Sequence, residues 1–236
     1  MLEPDFLHVA MDEPDQCPYL TGQTARMPLR VPRVGLYGEQ VDQLLESGFR
    51  RTGLFFYRTQ CPNCQACEAT RLEVQTFKPT RSQKRVQKKG DAAFETRIAT
   101  PTLDATRLRL FNEHRLKRGL AQREGALDEG DYRGFLLNAP CESVELSLWK
   151  EGELQAVSIT DVGANSLSAV YCFFDPESSG LSPGTYAILQ QIRFAEQLER
   201  KWLYLGYYVR DNRHLNYKSR FGPQQRLLSN TWVNFD

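Results

Sequence analysis

Histidine, methionine and tryptophan occur only three times each in 236 residues, and neither sign of charge is in excess: 30 basic side chains stand against 29 acidic ones, a formal net charge of +1. With so few histidines, no Ser-His-Asp or Cys-His order stands out along the chain, which argues against a triad hydrolase. The charge balance means that any nucleic-acid role has to come from local clustering. No apolar run approaches the roughly 20 residues that span a bilayer, so no membrane partner is expected. The opening MLEPDFLHVAMDEPDQ is acidic and has no basic segment leading into an apolar one. The expectation is a cytoplasmic protein. In that reducing compartment the six cysteines serve as core thiols or metal ligands rather than disulfides. Internal repeats and low-complexity segments are also missing.

What is present is a globular composition, 41% hydrophobic and 25% charged, sufficient for one large domain or two small ones. The first seventy residues are rich in Pro, Gly, Cys and Arg and read as irregular. Leu54, Phe55, Phe56 and Tyr57 make a strand-like run that ends at TQCPNCQAC, and Thr70 to Val74 alternates like a second strand. Together they predict a hairpin with the cysteines at its tip. The second half alternates with period two through VELSLWK, LQAVSITDVG and SLSAVYCFFD, an antiparallel meander. After SSGLSPG, a helical stripe of Ile188, Ile192, Ala195 and Leu198 leads to a further strand, LYLGYYV. The reading is an α+β protein with a boundary near residue 100: a smaller Cys-containing module over 1–100, and a mixed sheet with helices over 101–236.

Three features bear on chemistry. Cys61, Cys64 and Cys67 form C-x-x-C-x-x-C, a spacing that points thiolates at a soft metal, and Cys17 is the fourth candidate; the alternative is a set of reduced thiols packing a small hairpin. From Lys78 to Lys89, KPTRSQKRVQKK carries six cations (Lys78, Arg81, Lys84, Arg85, Lys88, Lys89) and no acid. Four of them share one helical face, which repels itself unless a polyanion sits against it. The cations of residues 107–118 (Arg107, Arg109, Arg115, Lys117, Arg118) extend that field. Neither segment shows a base-reading motif, so contact to an RNA backbone is expected and DNA is not. Finally, the Gly-Pro loop SSGLSPG precedes a helix N-terminus but does not match the coenzyme A loop of GNAT acetyltransferases.

CPYLTGQTAR, SGFRRTGLFFYRTQCPNCQACEATRL, FKPTRSQKRVQKK and SPGTYAILQQIRFAEQLERKWLYLGYYVRDNRHLNYKSRFGP together resemble the aminoacyl-tRNA–protein transferases, and the compact length is that of their bacterial leucyl-transferring branch. The resemblance runs from residue 13 to residue 232. It departs from the family where S-L-G is replaced by Ser182, Pro183, Gly184, and where K-M-x-Y-K is replaced by His214, Leu215, Asn216, Tyr217, Lys218. The resemblance implies a GNAT-like C-terminal half and transfer of leucine from leucyl-tRNA to the amine of proteins that begin with Asp or Glu. It explains the missing coenzyme A loop, since the acyl donor is a tRNA, and no cofactor is required for transfer. A metal on the cysteines, zinc or an iron–sulfur cluster, stays open. On this reading Tyr207 or Tyr208 assists departure of the ribose hydroxyl, and backbone N–H groups along Leu205 to Val209 bind the oxyanion. Arg58, Arg210 and Lys218 are candidates for holding the acidic N-terminal residue, Tyr171 and Tyr186 for contacting substrate, and Phe173 and Phe174 for lining a leucyl pocket. The competing readings are an arginyl donor, a coenzyme A-dependent acyltransferase and a non-catalytic RNA-binding module.

Overall fold

The computed structural model describes residues 4–120 and 125–236. Short strands dominate the N-terminal part: β1 (Leu7–Met11), β2 (Pro14–Gln16), β3 (Thr24–Arg26) and β4 (Leu29–Pro32) precede helix α1 (Gly38–Glu46), and β5 (Arg50–Thr52) and β6 (Phe55–Tyr57) follow it. Strands β1, β4, β6 and β5 pair in that order as a small antiparallel sheet, and β2 and β3 form a separate ribbon.

The chain then passes through β7 (Glu68–Glu73), α2 (Arg81–Ala93), β8 (Glu95–Ala99), α3 (Ala105–Lys117) and the single turn α4 (Glu129–Tyr132). The meander follows as β9 (Ser143–Lys150), β10 (Glu153–Val162) and β11 (Ser166–Phe174). Helix α5 (Pro183–Gln197), β12 (Trp202–Tyr208), β13 (Gln224–Leu228) and β14 (Thr231–Phe235) complete it. One sheet in the order β14-β13-β7-β12-β11-β10-β9-β8 holds eight of these strands, and β11 with β12 is its parallel pair. Meander, crossover helix and parallel strand make this an α+β, GNAT-like mixed sheet. It takes β7 and β8 from before residue 100, so the sheet itself crosses the boundary read from the sequence.

The expected hairpin of residues 54–57 with 70–74 does not form: β6 pairs with β4 and β5, whereas β7 pairs with β12 and β13 in the other sheet. The physical reason is burial. Ala69, Thr70, Arg71 and Leu72 are all buried, as befits a strand with neighbours on both edges. Helix α2 begins at Thr80, whose side chain accepts from the Gln83 N–H while the Gln83 side chain returns to Thr80. Of its buried positions, Gln83 donates to the Arg220 carbonyl and Gly90 faces α5, where the ring of Tyr186 fills the space a Cβ would need.

Alternation along β10 divides the core between two faces. Val157 and Ile159 join Leu110 and Phe111 of α3, while Ala156 packs with Tyr186 and Ala187 of α5. The basic surface expected of α3 is largely neutralised: Arg107 is buried against Glu145 and Asp104, Arg109 pairs with Glu113, Lys117 with Glu177, and buried Arg115 donates to the Gly125 carbonyl. A helix packed on a sheet has to turn part of its circumference inward, and cations on that part require partners.

The small and the large sheet meet at a third cluster, in which Phe49 and Phe56 pack with Leu44 of α1 and Tyr204 of β12. A buried fork fixes the joint. Arg51 of β5 donates to both carboxylate oxygens of Asp161 on β10, at 2.8 and 2.9 Å. The small sheet is thereby held against the point where the large one opens.

Candidate active site

Parallel pairing of β11 with β12 covers Ser166, Leu167 and Ser168 opposite Trp202, Leu203 and Tyr204, and stops there. Beyond it β11 stays with β10 and β12 stays with β7, so the facing edges part. A bulge marks the start of the opening: Ile159 pairs with Tyr171 and Thr160 with Ala169, which leaves Val170 over. Into this notch β5 sends Arg50. Its guanidinium donates to Ser168 Oγ at 2.9 Å and to the Ala169 carbonyl at 2.6 Å. Gly206 on the opposite edge has a φ of +94°, and a Cβ there would meet Arg50 Nη2 at 3.2 Å, so both conformation and space call for glycine.

The turn of 3-10 helix Asn216–Arg220 carries Lys218 to the same place. Lys218 is buried, and its Nζ donates to the Tyr207 carbonyl at 2.8 Å. Burial first, and the Arg50 charge second, push it down to about 7. Tyr207 lies against Tyr57 edge to face, and its hydroxyl donates to the Gly48 carbonyl at 3.1 Å. Its phenol is held well above the usual range by burial. One cavity of about 1820 Å³ joins these groups to an apolar wall of Phe111, Phe135, Tyr171 and Phe174.

The structure therefore brings Lys218, Tyr207 and Tyr171 of the sequence-predicted residues to the cavity, and leaves others away from its lining. Tyr208 lies under the Arg226 guanidinium, 3.8 Å from its ring centre. Tyr186 donates to Asp91 Oδ1 at 3.0 Å and ties α5 to α2. Arg58 sits over the Phe49 ring and donates to the Ser47 carbonyl, and Arg210 is exposed. Phe174 lines the cavity, but Phe173 is fully buried in the α3 cluster, which corrects the pairing of the two. The residue the sequence reading passed over is Arg50. Its signal was the adjacent pair in F-R-R-T, since neighbours on a strand point to opposite faces, and here both arginines are buried with separate partners.

The six cations of residues 78–89 are all exposed, and among the described residues none has a carboxylate within ion-pair distance. Thr80, Ser82, Gln83 and Val86 of the same segment line the cavity, so the cationic face borders its mouth. Cys17, Cys61, Cys64 and Cys67 are grouped: burial, then the other three thiols, push Cys67 up to about 12. The N–H groups of Tyr19 and Leu20 each approach Cys17 Sγ at 3.4 Å, and that of Arg26 approaches Cys61 Sγ at 3.5 Å. Such donors favour sulfur that carries negative charge, and four thiols fit a soft cation in kind. As placed, no three described His, Cys, Asp or Glu side chains converge into a coordination shell. Among the described residues no helix is long and apolar enough to cross a membrane.

A meander, a crossover helix and two diverging parallel strands with a deep cavity at the divergence define a GNAT-like acyltransferase. The family described as Arginine-tRNA-protein transferase, N terminus, matches residues 15–85, and its C-terminal counterpart matches residues 106–228. An aspartate/glutamate leucyltransferase of Chromobacterium violaceum is 36% identical over 96% of this chain and 93% of its own. That of Aeromonas hydrophila is 33% identical, over 100% of this chain and 98% of its own. A crystal structure of FemX superposes more loosely, with a TM-score of 0.48 at 9% identity over 79% of this chain and 64% of that one. The chain belongs to the aminoacyl-tRNA–protein transferase family, and it is an aminoacyltransferase.

The lowered proton affinity of Lys218 sets a linkage. Above its folded value of about 7 the native ammonium loses its proton, whereas the unfolded lysine keeps it to roughly 10. Unfolding then takes up a proton, so this group makes stability rise with pH across that window. Denaturant titrations between about pH 7 and pH 9 should show wild type gaining stability relative to Lys218→Met. Parallel pH profiles for the two would contradict it.

Proposed function

We propose that this protein transfers leucine from leucyl-tRNA to the α-amine of proteins beginning with Asp or Glu, in the cytoplasm. The observation that carries the reading is the open notch between β11 and β12, joined by one cavity to an apolar wall and bordered by a face of unpaired cations. The relatives' names support leucine as the cargo and Asp or Glu as the acceptor, and the family description supports tRNA and protein as their carriers.

The chemistry asks little of acid–base groups. The free amine nitrogen attacks the ester carbonyl carbon and a C–N bond forms; the nitrogen gives up one proton, and the ribose oxygen leaves with the C–O electron pair and takes one up. Because the ester is already activated, catalysis consists mainly of holding amine and carbonyl together and stabilising the oxyanion. In this reading backbone N–H groups along Leu205 to Val209 receive the oxyanion. Tyr207, at the cavity, donates its proton to the departing ribose oxygen once its hydroxyl exchanges Gly48 for that oxygen, and it recovers the proton that the attacking nitrogen gives up. The leucyl side chain rests on the wall of Phe111, Phe135, Tyr171 and Phe174. Lys78, Arg81, Lys84, Arg85, Lys88 and Lys89 hold the tRNA backbone, with affinity that falls as salt rises.

The test offers purified protein a mixture of labelled aminoacyl-tRNAs and peptides starting with Asp, Glu, Arg or Ala. Product masses should show leucine on the Asp and Glu peptides alone; acyl transfer from coenzyme A, or release of no product, would overturn the reading. In the same assay Tyr207→Phe should lower kcat by about 100-fold with KM little changed, and Tyr208→Phe should stay near wild type. Equal, small effects would remove Tyr207 from the mechanism.

A metal belongs to this reading as a structural element outside the transfer step. Cys17, Cys61, Cys64 and Cys67 would hold zinc or an iron–sulfur cluster, whose positive charge would keep the four sulfurs deprotonated together. Elemental analysis of anaerobically purified protein should find metal that Cys61→Ser with Cys64→Ser abolishes. Metal-free wild type with intact folding would count against the site.

A further inference from the structure

We infer that Arg50 and Lys218 form the seat for the acidic side chain of the acceptor's first residue, with Arg50 setting the preference for a carboxylate. This assignment rests on the transfer reaction proposed above and names the residues that choose its acceptor.

The two cations are among the most enclosed charges in the molecule, with 7% and 4% of their surface exposed. Three other buried arginines have acidic partners: Arg51 has Asp161, Arg107 has Glu145 and Arg226 has Glu68. Arg50 and Lys218 have none within ion-pair distance among the described residues; their partners are the neutral oxygens of Ser168, Ala169 and Tyr207. Two neighbouring buried cations repel each other and forgo hydration, a cost that a bound anion offsets. Arg50 spends two of its N–H donors on those neutral groups, and the rest of its fork remains for a carboxylate. Lys218 likewise has ammonium protons beyond the one given to Tyr207.

Position selects the anion. In an N-terminal Asp or Glu, the carboxylate is only two or three carbons from the attacking amine, so its reader has to stand beside the reacting carbonyl. Arg50 stands at the mouth of the open ladder, and Gly206 places no side chain between it and the opposite edge. The cations of α2 lie on the exposed rim, where a polynucleotide backbone can run, and Arg58 is held over Phe49. A tRNA phosphate or the transient oxyanion is the other anion that could meet Arg50, and the experiment separates them.

Full-length protein is given leucyl-tRNA and peptides that differ only in starting with Asp or Asn, and the ratio of the two kcat/KM values is measured. Relative to wild type, the Asp-to-Asn ratio should fall by about 100-fold in Arg50→Gln and by about tenfold in Lys218→Met, while the tRNA Kd stays within about twofold. An unchanged ratio with both peptides slowed alike would make Arg50 an oxyanion or packing residue and overturn the assignment. An unchanged ratio with weakened tRNA binding would make the ligand a phosphate and overturn it as well. Should circular dichroism show Arg50→Gln unfolded, Arg50→Lys, which keeps the charge and loses the fork, is read in its place, with a fall of about tenfold supporting the assignment and no fall overturning it. A wild-type protein that leucylates neither peptide refutes the parent reaction, and this assignment with it; a wild type that leucylates both equally refutes the assignment alone.

Discussion

The parting of β11 from β12 is the constraint on which the rest of the molecule depends. A parallel ladder that stopped in water would cost little, but one that stops inside a protein leaves backbone donors and acceptors to be satisfied. Here the small sheet and the 3-10 turn supply them: Arg50 binds the Ala169 carbonyl on one edge and Lys218 binds the Tyr207 carbonyl on the other. The opening is thus a built feature. It needs the bulge at Val170 to start it, a glycine at 206 to make room, and two cations to hold its edges.

This arrangement explains why the N-terminal residues cannot be an appendage. Arg50 and Arg51 are neighbours on β5 with opposite tasks, the first in the notch and the second clamped to Asp161. Fixing the register of β5 through the buried Arg51 fork fixes where the Arg50 guanidinium lies. A buried pair of this kind contributes less to net stability than to orientation, and orientation is what an aminolysis site requires.

Much of the second half was legible because its periods are clean. The meander, the stripe of α5 and the strand at LYLGYYV fall where alternation and helical spacing put them. Long-range pairing was not legible. Residues 70–74 look like the return strand of a local hairpin, and only the tertiary structure shows that β7 is central in the large sheet. The basic count of α3 misled for a related reason, since a list of arginines does not tell which are turned inward to meet Glu145. At the site, Lys218, Tyr207 and Tyr171 were within reach of sequence reasoning, while Arg50 was masked by the equally basic Arg51 and Arg58 around it.

The central claim is that the ester carbonyl and the acceptor amine meet between β11 and β12. A crystal structure of the full chain with an RNA minihelix ending in a non-hydrolysable, amide-linked leucyl-adenosine tests it most directly. The account predicts the leucyl carbonyl in the notch, with the side chain on the wall of Phe111, Phe135, Tyr171 and Phe174 and the RNA backbone along α2. A leucyl group bound elsewhere, with the notch between Ala169 and Tyr207 still closed by Arg50 and Lys218 alone, would contradict it.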